Sequence, residues 1–221
     1  MNVVDAGLIA DNYRALRERV DQIGGVNVGI VAVTKTFPIE AVRAVQAAGC
    51  RLVGENYAQE LVAKFAGMAP ADRPEIHFIG QLQSNKVRVI APLVSVWQTV
   101  DRASVIDEIS RRAPGATVMV QVNATGEAEK GGCRPDDVES LVERATRGGL
   151  HVNGLMTVGP TGGDTRRTRS AFRVTAGLAR ALALPELSMG MSGDWEIGVE
   201  EGATLIRIGS AIFGDRPPVN P

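Results

Sequence analysis

Short apolar segments alternate with helix-like segments along the whole chain, and this alternation restricts the possible folds more than any other feature. The sequence predicts eight buried strands, rich in apolar and β-branched residues, at 26–35, 51–55, 75–80, 95–100, 117–123, 151–158, 187–192 and 205–209. Helices are predicted at 59–67, 82–91, 103–112, 135–147 and 168–184, with one more between Pro38 and Gly49 and a shorter one after Gly193.

Strands and helices that alternate in this way normally form a parallel sheet. Eight units predict an α/β fold whose strands close into a single (β/α)8 TIM barrel. One extra amphipathic helix, with apolar residues three or four apart between Val4 and Ile23, precedes the first strand. No Gly/Pro/Ser-rich linker divides the chain, so 1–221 is expected to be one domain. The alternative is an open, doubly wound sheet, for which the usual dinucleotide-binding fingerprint is missing.

Charge and composition exclude several classes of protein. The chain has 24 basic and 25 acidic residues, which argues against a polybasic protein that binds nucleic acid. Its two cysteines and two histidines show no ligand spacing, so neither a disulfide framework nor a metal site is expected. Segment 1–20 carries charges throughout, unlike a signal peptide, and no apolar run reaches the ~18–20 residues of a membrane span. We therefore expect a cytoplasmic protein without nucleic-acid or membrane partners.

The candidate site lies where the predicted strands end, because barrels carry their active sites there. Lysine is scarce in this chain, with Lys35 standing at the end of an otherwise apolar strand. Apolar neighbours such as Val31 and Val33 lower the pKa of an ammonium group and suit a lysine that forms a Schiff base. The alternative is a lysine that reaches solvent at the rim. The polar residues at the strand ends, expected to converge on one mouth, are Lys35, Glu55, Asn56, Gln81, Asp101, Asn123, Thr157, Ser192 and Ser210.

The last two strands suggest a bound phosphate and a bound ring. The eighth strand runs into Gly209 and Ser210 and then into a helix start, whose amides can bind an anion; a glycine turn that closes the barrel is the alternative. Ser192, at the end of strand seven, is positioned to donate its hydroxyl to the same phosphate. Arg207 faces the same side of its strand as Gly209 and needs an acceptor there. That acceptor is either a carboxylate in a structural salt bridge or the ring nitrogen of a ligand.

Several other polar features are assigned structural roles. His77, in an alternating strand, is interpreted as a packing histidine whose hydrogen bonds are satisfied. Cys50 and Cys133 are interpreted as filling residues rather than reactive thiols, and the polar segment 122–132 is expected to be a solvated loop.

Seven segments in chain order carry motifs of one known family. They are VAVTKTFP from Val31, GENYAQEL from Gly54, IHFIGQLQSNK from Ile76, VNATGEAEKGG from Val122, GLMTVGP from Gly154, LSMGMSGDWE from Leu187 and LIRIGSAIFGDR from Leu205. Together they resemble the pyridoxal phosphate homeostasis proteins, also called the YggS/PROSC family. The resemblance covers essentially the whole chain, and it implies a barrel like the N-terminal domain of alanine racemase (fold type III among pyridoxal-phosphate proteins), without that enzyme's second β domain.

The same resemblance implies a role for each site residue. Lys35 would form the Schiff base with pyridoxal 5′-phosphate, and Arg207 would face the pyridine nitrogen. The phosphate would be held by Ser192 and the backbone at Gly209 and Ser210, and the ring pocket would be lined by Asn56 and Met156. Two positions depart from the family pattern. Gln81 stands where relatives often have histidine, which puts an acid–base role there in doubt, and Trp195 follows MSGD, where a smaller side chain is expected at the phosphate rim.

As a function, the resemblance implies a pyridoxal-phosphate carrier in intracellular vitamin B6 homeostasis and cofactor supply, with indirect effects on amino-acid metabolism. We expect a monomer without robust catalysis, whose partners are the cofactor and apo enzymes. The alternative is a pyridoxal-dependent amino-acid racemase, and a phosphosugar-binding barrel would leave Lys35 and Arg207 unexplained. A charged Arg207 makes the ring a weaker electron sink. Racemisation also needs a second acid–base group, and the only tyrosines here are Tyr13 and Tyr57.

Overall fold

Eight parallel strands close into one barrel in chain order, with the last strand paired to the first. The structure, a computed structural model, describes residues 4–215, so the ends of the predicted domain, 1–3 and 216–221, lie outside the described residues. The barrel prediction is confirmed and the open-sheet alternative is wrong. The strands are β1 Gly29–Val33, β2 Leu52–Glu55, β3 Glu75–Phe78, β4 Val96–Val100, β5 Thr117–Val122, β6 His151–Thr157, β7 Glu186–Met191 and β8 Leu205–Ile208.

Helices separate the strands and form the outer layer of the barrel. They are α1 Ala6–Gln22, α2 Ile39–Ala47, α3 Ala58–Phe65, α4 Ser84–Ile90, α5 Ala103–Arg112, α6 Val138–Arg147, α7 Thr165–Ala181, α8 Trp195–Glu200 and α9 Ser210–Phe213. The extra leading helix α1 packs beside α2 and α9, where Asn12 Nδ2 donates to the carbonyl of Ile212 at 3.0 Å. Within 4–215, no helix combines the length and apolar character that crossing a membrane requires.

Two element boundaries differ from the sequence prediction for local reasons. The first strand begins at Gly29 rather than Val26, because Val26 is 69% exposed and the chain turns before Val28. Helix α7 begins at Thr165, three residues earlier than predicted, because the Asp164 side chain accepts a hydrogen bond from the Arg167 amide and caps the helix.

Side chains alternate between the barrel interior and the helical layer, as strand geometry requires. The outward residues pack against the helices in buried clusters that include Phe65, Trp97 and Phe172. The inward residues form an apolar layer made of Val31, Val96, Met119, Met156 and Leu205. A belt of polar side chains also lies inside the barrel, at His77, Gln98, Ser188 and Arg207, all buried.

Candidate functional site

The carboxyl ends of the eight strands meet at one rim of the barrel, which we call the mouth. Two strand-end residues expected there turn their side chains away from it. Glu55 contacts α3 behind the barrel wall, and Thr157 Oγ1 donates to the carbonyl of Val122 at 2.9 Å. The prediction that Glu55 and Thr157 point into the mouth was wrong. Gly54 and Met156 face inward, so the next residue on each strand faces outward. The others follow strand ends at the mouth: Lys35, Asn56, Gln81, Asp101, Asn123, Ser192 and Ser210.

Lys35 lies in the turn between β1 and α2, two residues beyond the end of the strand, and it is half-buried. The next residue, Thr36, has a φ of 67°, a conformation that β-branched residues rarely adopt. Such strain costs ~1–3 kcal/mol and persists only where the surroundings fix the backbone. Glu60 on α3 does so, since its Oε1 accepts from the Thr36 amide at 2.5 Å.

A buried ion pair behind the wall holds the same turn. Lys64 Nζ donates to Glu55 Oε1 at 2.6 Å, to Glu60 Oε1 at 2.8 Å and to the carbonyl of Thr34 at 2.8 Å. Thr34 Oγ1 also donates to Glu55 Oε1, at 2.7 Å. The residues on either side of Lys35 are therefore tied to one carboxylate–ammonium cluster. Sequence reasoning missed this cluster, although the spacing of Glu60 and Lys64 on a helix was a signal for half of it.

Glu55 is the most strongly desolvated acid of that cluster. Its side chain is fully buried, and its Oε2 has no hydrogen-bond partner among the described residues. Burial raises the pKa of Glu55, while the nearby Lys64 ammonium opposes the rise. The carboxylate is thus costly to ionise without Lys64, and the pair depends on both partners.

Arg207 lies inside the barrel with 4% of its surface exposed. Its Nη1 donates to the carbonyl and hydroxyl of Ser188, at 2.8 and 2.7 Å, and its Nη2 donates to the carbonyl of Thr157 at 2.8 Å. These acceptors are neutral, so the structural salt bridge considered from the sequence is not what holds it. Burial lowers the pKa of Arg207 to about 10, opposed by the charge of Asp194, and the guanidinium remains cationic at neutral pH.

A cavity of about 550 Å³ opens beside the ends of β7 and β8. Ser192 and Gly193 line it on one side and Ala211, in the first turn of α9, on another. Arg19 of α1 also lines it, paired with Glu196 at 2.7 Å, as does Asp194. The first amides of a helix have no acceptor within the helix. The cavity is therefore lined both by Ser192 and by the first turn of α9, whose first residue is Ser210.

Met156 and Asn56, the two residues expected to line a ring pocket, are buried and half-buried respectively. Met156 is 2% exposed and belongs to the apolar layer inside the barrel. Asn56 is half-buried, and its Oδ1 is a buried acceptor without a partner among residues 4–215. An unsatisfied acceptor costs ~1–3 kcal/mol, so a ligand that donated a hydrogen bond to Asn56 would be stabilised there.

The two departures from the family pattern lie in different settings. Gln81 is exposed at the end of the segment after β3. Trp195 is 4% exposed, packs in the core beside α1 with the Arg19 guanidinium 5.2 Å from its ring centroid, and lines the cavity next to Ser192. The indole therefore forms part of the cavity wall next to Ser192.

The segment after β5 is an irregular, partly exposed loop with turns, as the sequence predicts, and side-chain hydrogen bonds hold it in place. Asn123 Nδ2 donates to the carbonyls of Glu127 and Lys130, at 2.8 and 3.2 Å. Glu127 accepts from the Thr161 hydroxyl at 2.7 Å, and this bond, helped by Lys130, lowers the pKa of Glu127 to about 2. The segment is thus fastened to the loop after β6 by contacts that the sequence did not predict, because they join residues far apart along the chain.

Comparison with known proteins gives a consistent result. The family model described as "Alanine racemase, N-terminal domain" matches residues 4–217. The pyridoxal phosphate homeostasis protein of Pseudomonas aeruginosa is 42% identical over 222 residues, spanning 94% of this chain and 96% of the relative. The protein of the same name from Bos taurus is 38% identical over 233 residues, spanning 92% of this chain and 85% of the relative.

Solved structures show the same relationship. PipY of Synechococcus elongatus, solved with pyridoxal phosphate (PLP) bound, superimposes with a TM-score of 0.81 at 30% identity. The match covers 93% of this chain and 100% of PipY. Alanine racemase from Corynebacterium glutamicum superimposes with a TM-score of 0.72 at 18% identity, covering 99% of this chain and 63% of the enzyme. The second comparison shows the fold alone.

Proposed function

Because the chain belongs to the alanine racemase N-terminal-domain family and to the pyridoxal phosphate homeostasis proteins, we propose that it binds pyridoxal 5′-phosphate and acts as a carrier of that cofactor. Its role would be intracellular vitamin B6 homeostasis and cofactor supply, with indirect effects on amino-acid metabolism. The observation that carries the proposal is the arrangement of one lysine and one buried arginine at neighbouring strands. Strands β1 and β8 pair with Val31 level with Arg207, and Lys35 lies at the mouth, in the turn two residues beyond the end of β1.

The residues present fit the cofactor in chemical type. We propose that Lys35 holds the cofactor covalently, that Arg207 faces the ring nitrogen, and that Asn56 and Met156 line the ring. The phosphate is assigned to Ser192 and to the backbone at Gly209 and Ser210. Support comes from the unpartnered Oδ1 of Asn56, from the cavity beside Ser192, and from the cationic guanidinium inside the barrel.

Arg207 disfavours fast chemistry at the α-carbon of an amino acid, without by itself excluding a racemase. When bound, the cofactor supplies an electron sink whose strength depends on protonation of its ring nitrogen. A permanently charged guanidinium beside that nitrogen disfavours its protonation and so weakens the sink. Racemisation would also need a second acid–base group. Tyr13 is half-buried beside Cys50, and burial raises its pKa to about 12, whereas Tyr57 is 53% exposed next to Asn56. Tyr57 is therefore the tyrosine that the racemase alternative would have to use.

Holo protein incubated with L-alanine in deuterated water should show negligible D-isomer and little exchange of the α-proton. A well-placed acid–base group contributes roughly 10²–10⁴ in rate, so a barrel without one falls far below a working enzyme. In a parallel assay, the same holo protein mixed with an apo pyridoxal enzyme should restore its activity as the cofactor leaves Lys35. Sustained turnover abolished by Lys35→Ala, and reduced by Tyr57→Phe, would contradict the carrier proposal and favour the racemase.

Ser192→Ala should weaken binding of pyridoxal 5′-phosphate by roughly 10- to 150-fold, because a hydrogen bond to a charged group contributes ~1.5–3 kcal/mol. Binding of unphosphorylated pyridoxal should hardly change. Both affinities are measured by equilibrium titration of the apo protein. The matched control is Ser140→Ala, which removes an exposed hydroxyl of α6 that donates to the Asp137 carbonyl. It should change neither of the two affinities. Equal losses for the two ligands in Ser192→Ala would exclude Ser192 as a phosphate ligand.

We further propose that the protein acts in the cytoplasm as a monomer and hands its cofactor to apo enzymes. Both cysteines are present as free thiols, which is the usual state in a reducing compartment. Burial raises the pKa of Cys50 and, to about 12, that of Cys133, so neither forms a reactive thiolate.

A further inference from the structure

A continuous row of hydrogen bonds crosses the barrel interior below the mouth. Glu75 Oε1 lies 3.1 Å from His77 Nε2, and His77 Nδ1 lies 2.5 Å from Gln98 Nε2. Gln98 Oε1 lies 2.7 Å from Ser188 Oγ, which lies 2.7 Å from Arg207 Nη1. The row links four strands, β3, β4, β7 and β8. His77, Gln98 and Ser188 are at most 2% exposed.

The donors along this row all point the same way. Arg207 is donor only, so the Ser188 hydroxyl accepts from it and donates its own proton to Gln98 Oε1. The amide of Gln98 then presents its N–H to His77 Nδ1, and His77 donates from Nε2 to the Glu75 carboxylate. Each member thus accepts one bond and donates the next, an arrangement in which neighbouring bonds strengthen one another.

The row joins a buried cation to a carboxylate that water can reach. The guanidinium of Arg207 contacts only neutral acceptors inside the barrel, whereas the Glu75 side chain is 48% exposed at the opposite end. The hydrogen bond from His77 lowers the pKa of Glu75, helped by the charge of Arg51. At the outer side of His77 the charged groups include Glu75 and Arg51, which line one surface hollow with Asp72 and Arg73, and on the inner side Arg207 lies beyond Gln98 and Ser188.

We propose that His77, Gln98 and Ser188 form a positioning relay that orients Arg207, with His77 neutral and protonated on Nε2. This statement rests on the proposed function only where it concerns the cofactor. The competing arrangement has a doubly protonated His77 and a reversed Gln98 amide. It would add a second buried cation to Arg207, and it would take away Gln98 Oε1 as the acceptor for the Ser188 hydroxyl proton.

Nitrogen NMR of the apo protein tests the relay without any cofactor. The chain has only two histidines, so the spectrum of a His151→Asn variant isolates the signals of His77. In the unchanged protein, the exposed His151 serves as the internal comparison. We expect His77 at neutral pH to be the neutral Nε2–H tautomer. A Nδ1–H tautomer or an imidazolium would overturn the proposal.

A near-isosteric change of the central residue gives a second test of the relay. In Gln98→Glu the new carboxylate faces both His77 Nδ1 and Ser188 Oγ, so His77 should take up a second ring proton at neutral pH. A merely space-filling Gln98 would leave the His77 signals unchanged, and that result would contradict the relay. If this variant does not fold, Ser188→Ala tests the same connection, because Gln98 then loses its donor and the signals of His77 should shift.

The effect on Arg207 is tested in the holo protein by absorption spectroscopy. We expect Ser188→Ala to shift the absorption band of the bound cofactor and the pH profile of that band, because Nη1 loses the hydroxyl acceptor. Ser140→Ala is the control and should change neither. An unshifted band in Ser188→Ala would show that the relay does not position Arg207. If the protein bound no cofactor, the proposed function would fail, whereas the apo NMR result would still decide the relay.

Discussion

Lys35→Ala protein mixed with pyridoxal 5′-phosphate and then reduced with borohydride should carry no cofactor, whereas the unchanged protein should carry it on the peptide that contains Lys35. The reason is the position of Lys35 at the mouth, just beyond the end of β1, which pairs with the strand that carries Arg207, together with the family to which the chain belongs. The variant keeps the bonds that hold the turn on both sides of position 35, from Thr34 to Glu55 and Lys64 and from the Thr36 amide to Glu60. Peptide mass mapping measures the result.

Lys86→Ala provides the matched control, since Lys86 lies on α4 outside the proposed cofactor site. Its reduced protein should carry the same amount of cofactor on the same peptide as the unchanged chain. A reduced adduct located mainly on Lys64, Lys86 or Lys130 in freshly prepared protein would show that the attachment site has been assigned to the wrong lysine. Circular dichroism of each variant checks that the barrel is still folded.

Much of the architecture could be predicted because strand and helix periodicity are local properties of a sequence. Each buried strand is indicated by a short run of β-branched residues. Eight such strands with helices between them are compatible with few topologies. The exact start of β1 could not be predicted, because Val26 is apolar yet 69% exposed, and its exposure depends on the turn that precedes Val28. The early start of α7 depends on one capping side chain, Asp164.

The candidate site was predictable only in part, because its contacts depend on which side of a strand each residue faces and at what height. Glu55 was expected at the mouth, but the alternation of β2 turns it toward Lys64. His77 was correctly interpreted as a buried histidine with satisfied hydrogen bonds, yet its partners Gln98 and Ser188 come from strands far away in sequence. The stagger of the strands, which places these residues side by side, is a property of the closed barrel.

Lys64→Met should destabilise the protein by about 3–5 kcal/mol, because it leaves Glu55 as a buried carboxylate without its countercharge. The methionine keeps the length and apolar stem of lysine, so little packing is lost. Chemical denaturation measures the free energy of unfolding. The double variant Lys64→Met with Glu55→Gln should recover most of the loss, since removing both charges of a buried pair is often close to neutral. The control Arg144→Ala breaks a half-exposed pair with Asp107, and its cost should stay below about 1 kcal/mol.

The loss caused by Lys64→Met should also depend on pH in a direction set by Glu55. Burial already raises the pKa of Glu55 in the folded protein, and removing the Lys64 ammonium raises it further. An acid with a raised folded pKa binds its proton more tightly when folded, so stability declines as pH rises from the unfolded value, about 4.3, through the folded one. The variant should therefore lose much less stability at about pH 5 than at about pH 8. A loss of the same size at both pH values would mean that Glu55 is not the group left unpaired.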